Sequence, residues 1–197
     1  MVPAVSDRAY NPLSVDELGQ NAARALMGYR SDILPPKTPF AGAGVYTLHY
    51  MGPFKAYVGM PDQEPIYVGK ADPPGKRQGR RAASLSASVL HQRLVHHSNS
   101  IASANNLDLK HFRCRWLVLD PVWISLTEQV LIAEYSPIWN VVVGGFGNND
   151  PGRGRWNQRR SPWDTLHPGR EWAYNLRDAV ESAEDILLKI KSHRESR

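Results

Sequence analysis

Apolar and polar residues alternate along this chain in blocks that change period several times. Ser14-Val15-Asp16-Glu17 has the spacing of a capping box and predicts a helix running to about Tyr29. The Pro- and Gly-rich stretch LPPKTPFAGAG, residues 34–44, stops any helix there. GVYTLHYM, from Gly44, then alternates as an aromatic-rich strand does, and PIYVGKA predicts a second strand. That strand is entered through Pro65 and ended by Asp72-Pro73-Pro74-Gly75, and residues 52–64 between the two read as a loop or a short hairpin excursion. Apolar residues at 85, 89, 90, 94 and 101 predict a serine-capped helix over 84–104. HFRCRWLVLD, 111–120, predicts a third strand, and WISLTEQVLIAEY, 123–135, an amphipathic helix ended by Ser136-Pro137. IWNVVVGG reads as a short extended segment. From Gly144 to Gly169 the chain is Gly, Pro and Arg anchored by Trp156 and Trp163, and the stretch from Gly169 to the end predicts a charged amphipathic helix with a frayed tail.

This order predicts an α+β fold, a small three-stranded antiparallel sheet flanked by helices, with an N-terminal helix and a C-terminal arm plus helix. Residues 1–39 form the N-terminal extension, 40–145 the core, and 146–197 a basic arm and helix in the same compact domain. The only internal repetition is the tripeptide Tyr-Val-Gly, at Tyr57 and again at Tyr67.

Composition narrows the function. The 197 residues are 42% hydrophobic and 22% charged, ordinary values for a globular chain of about one domain. The net charge of +5 is concentrated: Lys76, Arg77, Arg80 and Arg81 form one cluster, and Arg153, Arg155, Arg159 and Arg160 another. Two basic loops can simply be solvated, or they can be the footprint of a nucleic-acid backbone. Cys114 is the sole cysteine, which excludes a disulfide framework or a Cys-based zinc site within one chain. No apolar run approaches the about 18–20 residues of a membrane span, and the first residues lack a signal-peptide pattern. A cytoplasmic protein with no membrane partner is expected.

Several side chains could carry chemistry. Arg93 and His97 are one turn apart on the predicted helix, beside the stripe of Leu90, Leu94 and Ile101, where a cation and an imidazole at a core edge would suit a phosphate. Glu128 is flanked by Ile124, Leu131, Ile132 and Tyr135, so its carboxylate requires a metal, a structural arginine or a proton. Glu134 lies off that stripe. Tyr46 and Tyr67 are in predicted strands, where tyrosines are common for packing reasons alone.

In order, Gly44-Val45-Tyr46, Tyr-Val-Gly, Arg93 with His97, Glu128 in TEQVLI and Asn140 in PIWN resemble the GIY-YIG nuclease superfamily over about residues 40–145. GAGVY, PIYVGKA, NLDL, GFGN, PG-x-GR and HPGREWA further resemble its branch of type II restriction endonucleases that cut CCGCGG, out to residue 173. That branch carries an insertion between the two tripeptides, so the resemblance selects Tyr67 over Tyr57. Lys70, directly after Gly69, is expected to lend positive charge near a tyrosine hydroxyl, whereas Gly59 is followed by Met60 and Pro61.

The resemblance implies Mg²⁺-dependent hydrolysis of DNA phosphodiesters, with Mn²⁺ able to substitute. It implies a metal on Glu128, the scissile phosphate on Arg93, Tyr46 taking the water's proton, Tyr67 completing the water's hydrogen bonds, His97 orienting or relaying, and Asn140 holding the site's backbone. Gln158 joins Arg153, Arg155, Arg159 and Arg160 as the leading candidates for contact with double-stranded DNA, followed by the 76–81 cluster. One site per chain and a palindromic target imply a homodimer or a higher even oligomer. The alternative is a non-catalytic or structure-specific DNA-binding protein on the same scaffold.

Overall fold

The computed structural model describes residues 15–73 and 87–197. Ser14 of the predicted capping box, the basic group Lys76, Arg77, Arg80 and Arg81, and the start of the helix predicted from Ser84 lie outside the described residues.

A central strand, β2 (Gly44–Tyr50), organises the domain, and all seven of its residues are buried. It pairs antiparallel with β3 (Tyr67–Ala71) on one side and β4 (Phe112–Val118) on the other. A two-residue strand, β1 (Asp32–Ile33), adds to the outer side of β4, giving the order β1-β4-β2-β3. The architecture is α+β, an antiparallel sheet flanked by helices. The sheet gains a fourth strand that hydrophobic pattern did not predict, because two exposed residues show no periodicity.

Side chains of a strand alternate between faces, and β2 uses both. Tyr46, Leu48 and Tyr50 enter a large core with α2 (Val89–Ser103), Phe112, Trp139, Phe146, Trp163 and the last helix. Val45 points the other way, joining Val68 beneath α1 (Val15–Gly28) and α3 (Pro121–Tyr135), which supply Ala23, Leu26, Ile124 and Leu131. Asp120 caps α3 by accepting from the Val122 amide, and Pro121 occupies its first turn.

Two predicted elements are corrected. Residues 138–141 form a helical turn, α4 (Ile138–Val141), not an extended segment. Ile138 and Trp139 reach the core only when the chain coils after Pro137, and the Trp139 amide then donates to the Ile66 carbonyl at 2.9 Å. The final helix, α6 (Ala183–Glu195), starts well after Gly169. Residues 171–175 form a 3₁₀ turn, and the Arg177 backbone is taken by the arm: its amide donates to Gln158 and its carbonyl accepts from Arg160. Ser182 and Asp185 then build a full capping box, which fixes the start of α6. A short helix, α5 (Pro162–Leu166), precedes this stretch. Among the described residues no helix is long and apolar enough to cross a membrane.

Candidate active site

Tyr46 lies opposite Gly69 on β3 and Trp116 on β4. A Cβ at position 69 would run into the Tyr46 hydroxyl, so glycine is what lets this phenol cross the edge strand. Gly44 is needed for a related reason: a Cβ there would collide with the Leu117 carbonyl of β4. The Tyr46 hydroxyl thus reaches α2 and lies 2.6 Å from His97 Nε2. Tyr67, two residues before Gly69, shares this face. Its ring centroid is 6.2 Å from that of Tyr46 and 5.4 Å from that of His97. One turn before His97, half-buried Arg93 donates through Nη2 to the Gly147 carbonyl at 3.3 Å.

The electrostatics of the group follow from burial. Removal from water raises the Tyr46 pKa well above its ordinary value and raises that of Tyr67 as well, while it holds His97 well below its own. The Arg93 guanidinium opposes the shift on both phenols and deepens it on the imidazole. At neutral pH the group is therefore two neutral phenols and a neutral imidazole beside one fixed cation. His97 Nδ1 is buried with no hydrogen-bond partner among the described residues.

Lys70 falls on the opposite parity of β3 and points to α3. Its Nζ lies 2.7 Å from Glu128 Oε2 and donates to Ser125 Oγ at 3.3 Å, Ser125 and Glu128 being neighbours at i, i+3. The cation whose charge acts on the two phenols is Arg93, and Lys70, expected to do this, instead neutralises Glu128. The Glu128 carboxylate remains 19% exposed, and its charge raises the Tyr67 pKa, so it lies within electrostatic reach of the phenol group. Asn140 uses its whole side-chain amide on the edge strand. It accepts from the Val68 amide at 2.8 Å and donates to the Val68 carbonyl at 2.9 Å. In effect it replaces the neighbouring strand that β3 lacks.

Tyr57 sits elsewhere. It is fully buried, accepts from Trp139 Nε1 at 3.0 Å and lies 2.7 Å from His167 Nε2. Its ring contacts are with Tyr50, Phe54, Trp139 and His167, none of which belongs to the Tyr46 group.

On the arm, Arg153, Arg155 and Gln158 are exposed. Arg159 donates to the Asp178 carbonyl at 3.3 Å. Arg160 is half-buried, donates to the Ala173 carbonyl and lies over the Tyr174 ring. Asn148, Asn149, Arg155, Gln158 and Arg159 line an open depression of about 410 Å³, which begins one residue after the Gly147 carbonyl held by Arg93.

Sequence reasoning missed the ring that backs the imidazole. Phe146 stacks on His97 with centroids 4.5 Å apart and meets Tyr67 edge-on at 4.9 Å. It missed Ser125 as well. GFGN stood out as a motif, but nothing in its spacing shows that Phe146 folds back onto α2.

The phenols on the central and edge strands, the arginine and histidine on one helix, the carboxylate on the other and the antiparallel sheet that holds them define the class: a GIY-YIG nuclease, whose substrate is DNA. Within that class the chain belongs to the family described as the Eco29kI GIY-YIG domain, which matches residues 38–194. No curated protein sequence matches the chain.

Proposed function

We infer that the protein is a type II restriction endonuclease that makes Mg²⁺-dependent double-strand cuts at a short GC-rich palindrome, CCGCGG. The observation that carries the chemistry is the 2.6 Å contact of Tyr46 with His97 beside Arg93 and Tyr67, with Glu128 on the helix behind the same edge strand. In the reaction, Arg93 grips the scissile phosphate. Tyr46 takes a proton from the attacking water as its own proton passes to His97 Nε2, and Tyr67 completes the water's hydrogen bonds. The arriving phosphate makes this relay feasible: its negative charge offsets Arg93 and favours an imidazolium that burial otherwise disfavours.

Glu128 fits a magnesium ion as a single, partly exposed oxygen ligand that already attracts a cation, the Lys70 ammonium. Among the described residues no group of three His, Cys, Asp or Glu side chains could hold a metal. Few protein ligands, with water and substrate oxygens completing the shell, is the arrangement Mg²⁺ favours. Such an ion would stabilise the charge on the departing 3′ oxygen. The Lys70 and Glu128 side chains are 31% and 19% exposed, so water still reaches the pair and a divalent ion can compete with the ammonium for the carboxylate.

Arg153, Arg155 and Gln158 are free to reach DNA, with Arg159 and Arg160 more constrained. One site per chain and a two-fold symmetric target call for a homodimer or a higher even assembly. A cytoplasmic setting fits a sole cysteine, Cys114, that is buried and unpaired.

The test is digestion of unmethylated plasmid DNA by wild type and Glu128→Ala with Mg²⁺, followed by sequencing of the ends. Discrete wild-type fragments ending within CCGCGG, absent for the variant, are expected. Discrete ends at another sequence would keep the chemistry and discard the specificity, and binding without cleavage would overturn the reading.

A further inference from the structure

The motif HPGREWA contains a charged residue that the reaction does not use. Arg170 is 5% exposed and its partner Asp164 2%, with Nε donating to Oδ1 at 2.6 Å. The guanidinium lies between two indoles, 4.5 Å from the Trp163 ring centroid and 4.7 Å from that of Trp172. Its remaining donors all serve one loop. Nη1 donates to the carbonyls of Phe146 and Asn148, each at 3.1 Å, and Nη2 to the carbonyl of Gly145 at 3.0 Å. Between these lies the Gly147 carbonyl, which accepts from Arg93.

Four successive carbonyls are thus divided between two arginines, three to Arg170 and one to Arg93. A planar guanidinium with fixed donor directions can impose such a division, whereas a point charge cannot. A buried ion pair is weak evidence for stability in itself, because removing both charges from water offsets much of their attraction. The loop held here carries Phe146, the ring stacked on His97. The arm also starts and ends on the same device: Asn148 opens it, and Ser161, at its far end, donates to the second oxygen of Asp164 at 2.6 Å.

We propose that Arg170, oriented by Asp164, is a positioning residue for DNA cleavage. It sets the 145–148 loop so that the Gly147 carbonyl aims Arg93 and Phe146 fixes the His97 ring. The kinetic part of this inference rests on the nuclease reading above; the structural part does not.

Two variants of the full chain test it. Arg170→Met keeps a stem between the indoles and loses every donor, while Arg170→Lys keeps a charge for Asp164 but cannot span three carbonyls. Both are expected to lower the single-turnover cleavage rate about 100-fold, the scale of an ångström-level misplacement, with DNA affinity in EDTA changed less than about threefold. Arg170→Lys is expected to recover much of the thermal midpoint lost in Arg170→Met and none of the rate. Both are expected to speed hydrogen exchange of amides 145–149 and to move the His97 imidazole resonances, which Phe146 shields. An Arg170→Lys enzyme cleaving at the wild-type rate would overturn the proposal, as would unchanged exchange and unchanged His97 resonances in both variants. If Arg170→Met does not fold, Arg170→Lys decides alone. If wild type does not cut DNA, the exchange and resonance measurements still decide whether Arg170 sets the loop, and the nuclease reading fails separately.

Discussion

Tyr57 and His167 form a buried phenol–imidazole pair at 2.7 Å, and Tyr46 and His97 form another at 2.6 Å. Each tyrosine is close to a glycine two residues downstream or directly across a strand, and the histidines lie 110 and 51 residues further along the chain. The surroundings differ in one respect that matters. The first pair belongs to a completed chain of hydrogen bonds: Trp139 Nε1 donates to the Tyr57 hydroxyl, that hydroxyl to His167 Nε2, and His167 Nδ1 to Asn106 Oδ1 at 2.9 Å. Asn106 in turn donates to the Leu166 carbonyl. Every polar atom along this path has its partner, and no charged side chain shifts His167, which burial alone pushes down to about 3. In the second pair His97 Nδ1 lacks a partner among the described residues, and Arg93 acts on both members. A saturated pair holds a core together. An unsaturated pair beside a cation is what the proposed proton relay requires.

The sharpest way to break the comparison is to remove one hydroxyl from each pair. Tyr46→Phe should lower the single-turnover cleavage rate by about 10²–10⁴, the usual contribution of acid–base groups, with a thermal midpoint near that of wild type. Rates measured on matched, folded protein would check it, and wild-type cleavage by Tyr46→Phe would remove this phenol from the mechanism. Gly69→Ala should come next. Its methyl group must displace the Tyr46 ring, so activity should fall together with a destabilisation of about 1–3 kcal/mol from overpacking, read from urea midpoints.

Tyr57→Phe should do the reverse of Tyr46→Phe. It leaves Trp139 Nε1 and His167 Nε2 unpaired in the core, a cost of about 1–3 kcal/mol, while cleavage well below the melting temperature stays unchanged. The last test concerns pH. The folded pKa of His167 is lowered from 6.5 to about 3, so on acidification the unfolded chain binds a proton that the folded state refuses. Its contribution to stability is complete above pH 6.5 and is lost as pH falls towards 3, by up to about 1.4 kcal/mol per pH unit. His167→Gln should flatten the stability profile between pH 6.5 and 4, and an unaltered slope would show that His167 is protonated in the fold.

Much of the fold was legible in the chain because period-2 and period-3.6 patterns are local. GVYTLHYM, PIYVGKA and HFRCRWLVLD became β2, β3 and β4, and the helix ending at Ser136 became α3. The stretches that misled are those where long-range contacts overrule pattern. IWNV coils because Ile138 and Trp139 must turn inwards, and the residues after Gly169 delay their helix because the Arg177 backbone pairs with the arm. Lys70 misled for a simpler reason: adjacency in a strand means opposite faces, so the residue after Gly69 points away from Tyr46.

Taken by itself, the sequence determined the sheet-forming segments and the i, i+4 placement of Arg93 and His97 on one helix face. These are short-range matters of period. Only the tertiary structure decided that Tyr57 is sealed into a satisfied network, that Arg93 and not Lys70 is the cation acting on the phenols, and that Phe146, on the loop bound by Arg170, stacks on His97. Hydrogen-bond saturation and charge proximity depend on which distant segments meet, and that is set by the packing of the whole core.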